Sequence, residues 1–137
     1  MRVLRPGGHL AITVWDSLDY TPGYSAMVDL VFNLFGEEAA DELRSSLSLG
    51  STAELQSIFA QAGIPNATIT TQRGTARFPS LEEWLYTEIK GWVLADKLDD
   101  AQYDHLRAAA PEYLTQFITP DGAIAFDSPA HIVSATK

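Results

Sequence analysis

Three histidines, His9, His105 and His131, stand apart in the sequence, without the i, i+4 spacing or neighbouring carboxylates that gather metal ligands on one helix face. Isolated histidines of this kind are usually packed or solvated, and no metal site is expected. Cysteine is absent, which removes thiolate ligands and disulfides together. There is no Gly-x-Ser-x-Gly elbow or other nucleophile arrangement, so no catalytic residue is assigned. Pro6-Gly7-Gly8 is glycine-rich, but it precedes an apolar run instead of separating a strand from a helix. It reads as a turn and not as a cradle for a nucleotide, and no cofactor-binding residue is assigned.

Aromatic residues carry the remaining signal. Trp15 and Asp16 close the apolar run His9 to Trp15, and ligands of open α/β sheets lie outside the carboxyl ends of their strands. Tyr20 and Tyr24 follow in the next loop and helix start, and Trp84 and Trp92 stand two helical turns apart. Trp15, Asp16, Tyr20, Tyr24, Trp84 and Trp92 are therefore the candidate substrate-binding residues, lining an apolar pocket. Large aromatics at helical spacing suit plain core packing equally well, above all Trp84 and Trp92. The acidic pairs Glu37-Glu38, Glu82-Glu83 and Asp99-Asp100 read as solvated helix starts favoured by the helix dipole.

The elements that position these residues follow from period and punctuation. His9 to Trp15 does not alternate polar with apolar, the pattern of a central strand covered on both faces. Tyr24, Met27, Val28, Val31, Leu34 and Phe35 recur at helical spacing, with Gly36 placed to end that helix, and Glu37 to Leu47 forms a weaker one. Ser51 with Glu54, and Ser80 with Glu83, have the spacing of capping boxes. The second opens a helix with Leu81, Trp84, Leu85, Ile89 and Trp92 on one side. Asp99 caps a further helix, which Pro111 should break or follow with a new short one through Phe117. Asn66 to Phe78 reads as a strand with a bulge or bend at Gly74, and Ala123 to Thr136 as a strand pair or one strand broken at Pro129.

With 137 residues and 46% hydrophobic content, the chain has the size and composition of one domain. Its 9 basic and 18 acidic residues give a formal charge of -9, which repels a phosphate backbone and excludes nucleic acid as a partner. No apolar run reaches the roughly 18 residues that span a bilayer, so no membrane partner is expected, and the expected location is cytoplasmic.

The turn Leu4-Arg5-Pro6-Gly7-Gly8 leading into a strand that ends Val14-Trp15-Asp16 resembles the fifth strand of class I S-adenosylmethionine (SAM) dependent methyltransferases, among them the type 11 group. The likeness continues through Pro22-Gly23-Tyr24, Ala60-Gln61-Ala62-Gly63-Ile64, Arg77-Phe78-Pro79-Ser80 and Pro129-Ala130-His131-Ile132-Val133. It implies an α/β fold, the C-terminal part of a Rossmann-like methyltransferase. His9 to Trp15 would be the fifth strand, Ala67 to Phe78 the sixth and His131 to Thr136 the seventh. That is about three strands, one parallel pair plus an antiparallel last strand inserted between them. Residues 1–137 would form a single or partial domain with helical lid insertions at about 17–48 and 80–120.

The implied activity is methyl transfer to a small-molecule acceptor beneath the lid. The family's glycine-rich SAM loop, the acidic residue after its second strand and its fourth-strand segment have no counterpart in this sequence. SAM is thus expected as cofactor of a complete protein and not of this chain alone, which should be inactive in isolation. A non-enzymatic module that binds an apolar ligand or a protein partner through the same aromatic face is the other reading. An apolar first strand with a free edge further implies a homo-oligomer.

Overall fold

The structure, a computed structural model, describes residues 2–137. Its order is β1 (His9–Trp15), α1 (Pro22–Phe35), α2 (Glu37–Ser45), α3 (Thr52–Gln61), β2 (Thr68–Gln72), β3 (Thr75–Phe78), α4 (Leu81–Leu85), α5 (Asp100–Leu114), β4 (Ile124–Asp127) and β5 (Ala130–Thr136). A π-helical turn, Tyr86–Lys90, continues α4. The helix starts follow their caps. Ser51 accepts from the Glu54 N–H, Ser80 from the Glu83 N–H, and Asp99 and Gln102 satisfy each other's backbone reciprocally.

Three strands form one sheet in the order β1-β5-β2, and β3 pairs with β4 in a second. Every ladder is antiparallel. That corrects the expected Rossmann-like α/β fold: the structure is mixed α and β with antiparallel sheets and no parallel ladder among the described residues. β5 stands between β1 and β2 and is antiparallel to both, so those two strands run the same way without pairing to each other. The three expected strands are five among the described residues. The segment anticipated as one strand from 67 to 78 changes sheet at Arg73 and Gly74, and the last segment does so at Ser128 and Pro129. Gln72 faces Ala130 on one side of this interruption and Thr75 faces Asp127 on the other. Two residues therefore intervene on each strand, a bend with no extra residue and hence no bulge. The Ser128 N–H donates to the Gly74 carbonyl at 2.9 Å inside the bend.

β1 is an edge strand, with the free edge expected of it, but it is not a central strand covered on both faces. Residues directly opposite in an antiparallel ladder share a face, so Ile12 stands with Val133 and Ile69, and Thr13 with Ile132 and Thr70. The first face is covered by α3: Leu55 and Phe59 pack with Ala67, Val133 and Ala135, against Leu10, Val14 and Ile69. The second face is open, with Ala11, Thr13 and Trp15 exposed. The unbroken apolar run of β1 therefore reflects an uncovered face and not a second layer of helices.

The larger core lies between α1, α4, α5 and β4. Met27, Leu30, Val31, Trp84, Ile89, Leu106, Leu114 and Ile124 are almost wholly buried there. Trp84 is ringed by Phe78, Phe117 and Phe126, with centroids 5.8, 6.0 and 4.9 Å away. The stripe expected from Leu81 to Trp92 persists as far as Ile89, but the helical segment ends at Lys90, so Trp92 falls in a bend beyond it. Trp84 is 0% exposed while Trp92 is 58% exposed. Pro111 does not break α5, which runs to Leu114. Burial of Leu106, Ala110 and Leu114 on one face holds the helix across the proline, offsetting a cost of about 3 kcal/mol.

Replacing Trp84 by Ala should lower stability by about 3–5 kcal/mol, the range for removing a buried large aromatic. The shift in urea midpoint measures it, and a shift under 1 kcal/mol would mean that the ring is not a core residue.

Candidate functional site

Two cavities open where β1 ends, and the alternation of side chains along a strand divides the candidates between them. Trp15 lines an apolar cavity of about 270 Å³ together with Tyr24, Met27 and Val28 of α1, Leu47, and Trp92. Asp16, one residue on, lines a polar cavity of about 860 Å³ with Tyr20, Gly50, Thr71, Arg73 and His131. Of the six candidates, the structure thus brings Trp15, Tyr24 and Trp92 together and sets Asp16 and Tyr20 beside them in a separate space. Trp84 lines neither and belongs to the core.

The polar cavity is floored by a buried network. His131, in β5, is cross-strand partner to Val14 on one side and Thr71 on the other. Its Nε2 lies 2.9 Å from the Gly50 carbonyl and 3.2 Å from Asp16 Oδ1, and its Nδ1 lies 2.9 Å from Thr71 Oγ1. A carbonyl only accepts, so Nε2 carries a proton and donates it to Gly50, with the Asp16 carboxylate alongside, and in the neutral ring Nδ1 accepts from the Thr71 hydroxyl. Asp16 Oδ1 accepts from the Ser17 N–H at 2.8 Å. Hydroxyl, imidazole and carboxylate lie close together, but the Nε2 proton ties the ring to the backbone of the 50 loop, and the group acts as a strut. A side chain at position 50 is excluded by close approach: a Cβ there would lie 2.2 Å from the Ser17 nitrogen.

The apolar cavity is shaped from α1 and the π-helical turn. Tyr24 packs edge-on against Phe126, centroids 5.2 Å apart. Gly23 makes that possible, since a Cβ at that position would lie 2.4 Å from the Phe126 ring. The Tyr24 hydroxyl donates to Glu88 Oε1 at 3.2 Å. Burial pushes the Glu88 carboxyl above the usual carboxylate range, with the Tyr24 hydrogen bond opposing the shift only in part. Burial, then the Glu88 charge and the hydrogen bond to it, push the Tyr24 phenol upward too, so it stays protonated as a donor.

Glu88 and His131 escape a reading by motif. Glu88 left one signal: it is four residues after Trp84 and four before Trp92, a carboxylate set inside an aromatic stripe. His131 left none, because its partners come from β1, β2 and the 50 loop. Among the described residues, no three His, Asp or Glu side chains gather in a way that could hold a metal ion. No helix of these residues is long and apolar enough to cross a membrane. No family model matches the chain, and no curated protein matches its sequence.

Replacing His131 by Ala leaves the Gly50 carbonyl without its donor and the buried Asp16 carboxylate with the Ser17 N–H alone. A loss of about 2–4 kcal/mol in stability is expected, read from urea denaturation, with Thr71→Val costing less because Nε2 keeps its bond to Gly50 and its place beside Asp16. Equal losses for the two variants would contradict the geometry at Nε2.

Proposed function

We propose that the chain is the acceptor-covering portion of a SAM-dependent methyltransferase, and that its acceptor is an apolar small molecule held between Trp15, Tyr24 and Trp92. The observation that carries the reading is the convergence of these three residues, distant in sequence, on one cavity at the carboxyl end of β1. The segment resemblance supplies the reaction class. Methyl transfer depends largely on holding acceptor and sulfonium in line, so a wall that orients an apolar acceptor contributes without any acid or base.

We assign no SAM-binding role to the Pro6-Gly7-Gly8 turn. The turn at Pro6-Gly7-Gly8 directs its N–H groups inward, Gly7 to the Lys137 carbonyl at 2.8 Å and Gly8 to the Arg5 carbonyl at 2.9 Å. Neither is turned toward a ligand. The role proposed for this chain is therefore acceptor binding, in a cytoplasmic setting that suits its lack of cysteine.

Titration with 2-naphthol, a neutral bicyclic probe, should shift tryptophan fluorescence and saturate near one molecule per chain. Trp15→Ala should weaken that binding about tenfold, roughly one aromatic contact, with the urea midpoint little changed because Trp15 is 47% exposed. Titration with SAM in the same cell should give no saturable signal. Unchanged naphthol binding in the variant, or micromolar SAM binding at one per chain, would overturn the reading.

We also propose self-association through β1. Its outer edge is paired with no strand among the described residues, and no lysine or proline inside it guards that edge. Ile132 and Trp15, 37% and 47% exposed, add apolar area on the open face beside it. Sedimentation equilibrium at micromolar concentration should show a dimer or larger species. A monomer of 15.0 kDa, unchanged on concentration, refutes it.

A further inference from the structure

The apolar cavity contains one group that an apolar ligand does not explain. Its walls are uncharged, Trp15, Tyr24, Met27, Val28, Leu43, Ser46, Leu47, Trp92 and Val93, except for Glu88. A carboxylate turned into such a space is costly unless something compensates it. Among the described residues it has the Tyr24 hydroxyl at 3.2 Å, one donor for a group with about four acceptor positions. The nearest lysine in sequence does not serve it: Lys90 Nζ is turned away to Asp100 at 3.1 Å and the Leu98 carbonyl at 3.3 Å. Lys97 is engaged by Glu42. Burial raises the Glu88 carboxyl above its ordinary range, as expected for a site that lacks its counter-charge.

Three aromatic residues beside a partly desolvated carboxylate form a recognisable chemistry. The faces of Trp and Tyr rings attract cations through their quadrupole, most strongly where water is excluded, and they do so for ammonium groups with no N–H left to donate. A neutral apolar guest would gain only burial there and would leave the carboxylate as it is. Resting on the acceptor-cavity reading, we propose that the molecule held between Trp15, Tyr24 and Trp92 is an organic cation, carrying a tertiary or quaternary ammonium group with Glu88 as its counter-charge. The formal charge of -9 over the whole chain draws cations toward it and disfavours anions. The cavity, about 270 Å³, has room for a single small aromatic or branched ammonium and not for a long chain.

The test compares phenyltrimethylammonium with tert-butylbenzene, two molecules of nearly the same shape that differ in charge. Binding is followed by the shifts of the Trp15 and Trp92 indole N–H resonances, which locate it. The cation should bind at least about tenfold more tightly than the hydrocarbon. Glu88→Gln, which keeps the volume and an acceptor for Tyr24, should bring the two within about twofold, while its unfolding midpoint reports that it is folded. Equal binding of both probes to the native chain overturns the cation assignment and leaves the apolar acceptor site standing. A preference that survives Glu88→Gln overturns the role of Glu88. Failure of both probes to shift either indole overturns the cation assignment and the cavity reading beneath it.

Discussion

One buried ring ties the two outer strands of the sheet to the loop before α3. His131 reaches Asp16 at the end of β1, Thr71 on β2 and the carbonyl of Gly50, so a single imidazole fixes three segments that are far apart in sequence. The ring itself is buried, and a buried polar group left without its bond costs more than a made bond contributes. The direction in which the chain leaves β1 follows from this. Asp16 is drawn inward, and Trp15 must then project to the opposite side.

That alternation separates the two cavities. A slip of one residue in the register of β1 on β5 would exchange the faces of carboxylate and indole, and the aromatic space would lose a wall. The remaining walls depend on close packing of α1 against β4, where the bare backbone of Gly23 admits the Phe126 ring and Phe126 in turn sets the edge of Tyr24. The site is thus a product of the core and not an addition to its surface.

The sequence revealed local features well and long-range ones poorly. Ser51, Ser80 and Asp99 act through N–H groups three residues away, so their helix starts were visible in the spacing alone. The break near Gly74 and the break at Pro129 were visible for the same reason. The covering of the strands was not, because an apolar run in β1 reads the same whether its second face is covered by helices or left open. The π-helical turn was hidden too, since nothing in Tyr86 to Lys90 distinguishes it from a further α-helical turn, and so was the end of the helical segment at Lys90, which sets the true position of Trp92. Pro111 misled because its penalty was weighed without the buried stripe that outweighs it. Of the candidate site, the aromatic members were legible by type, and their partition into two cavities required the register of β1 on β5.

The bend shared by the two sheets makes their registers one quantity. β2 on β5 and β3 on β4 are the two arms of a single ribbon, with equal numbers of residues across the break. A slip of one residue in either arm would have to pass through the Gly74–Ser128 hydrogen bond and appear in the other. It would turn Val133 out of the small core and Ile124 and Phe126 out of the large one at the same time, since a single step reverses every side chain. Two short ladders of four and five residue pairs, each weak at specifying its own alignment, are thereby proofread by two separate cores.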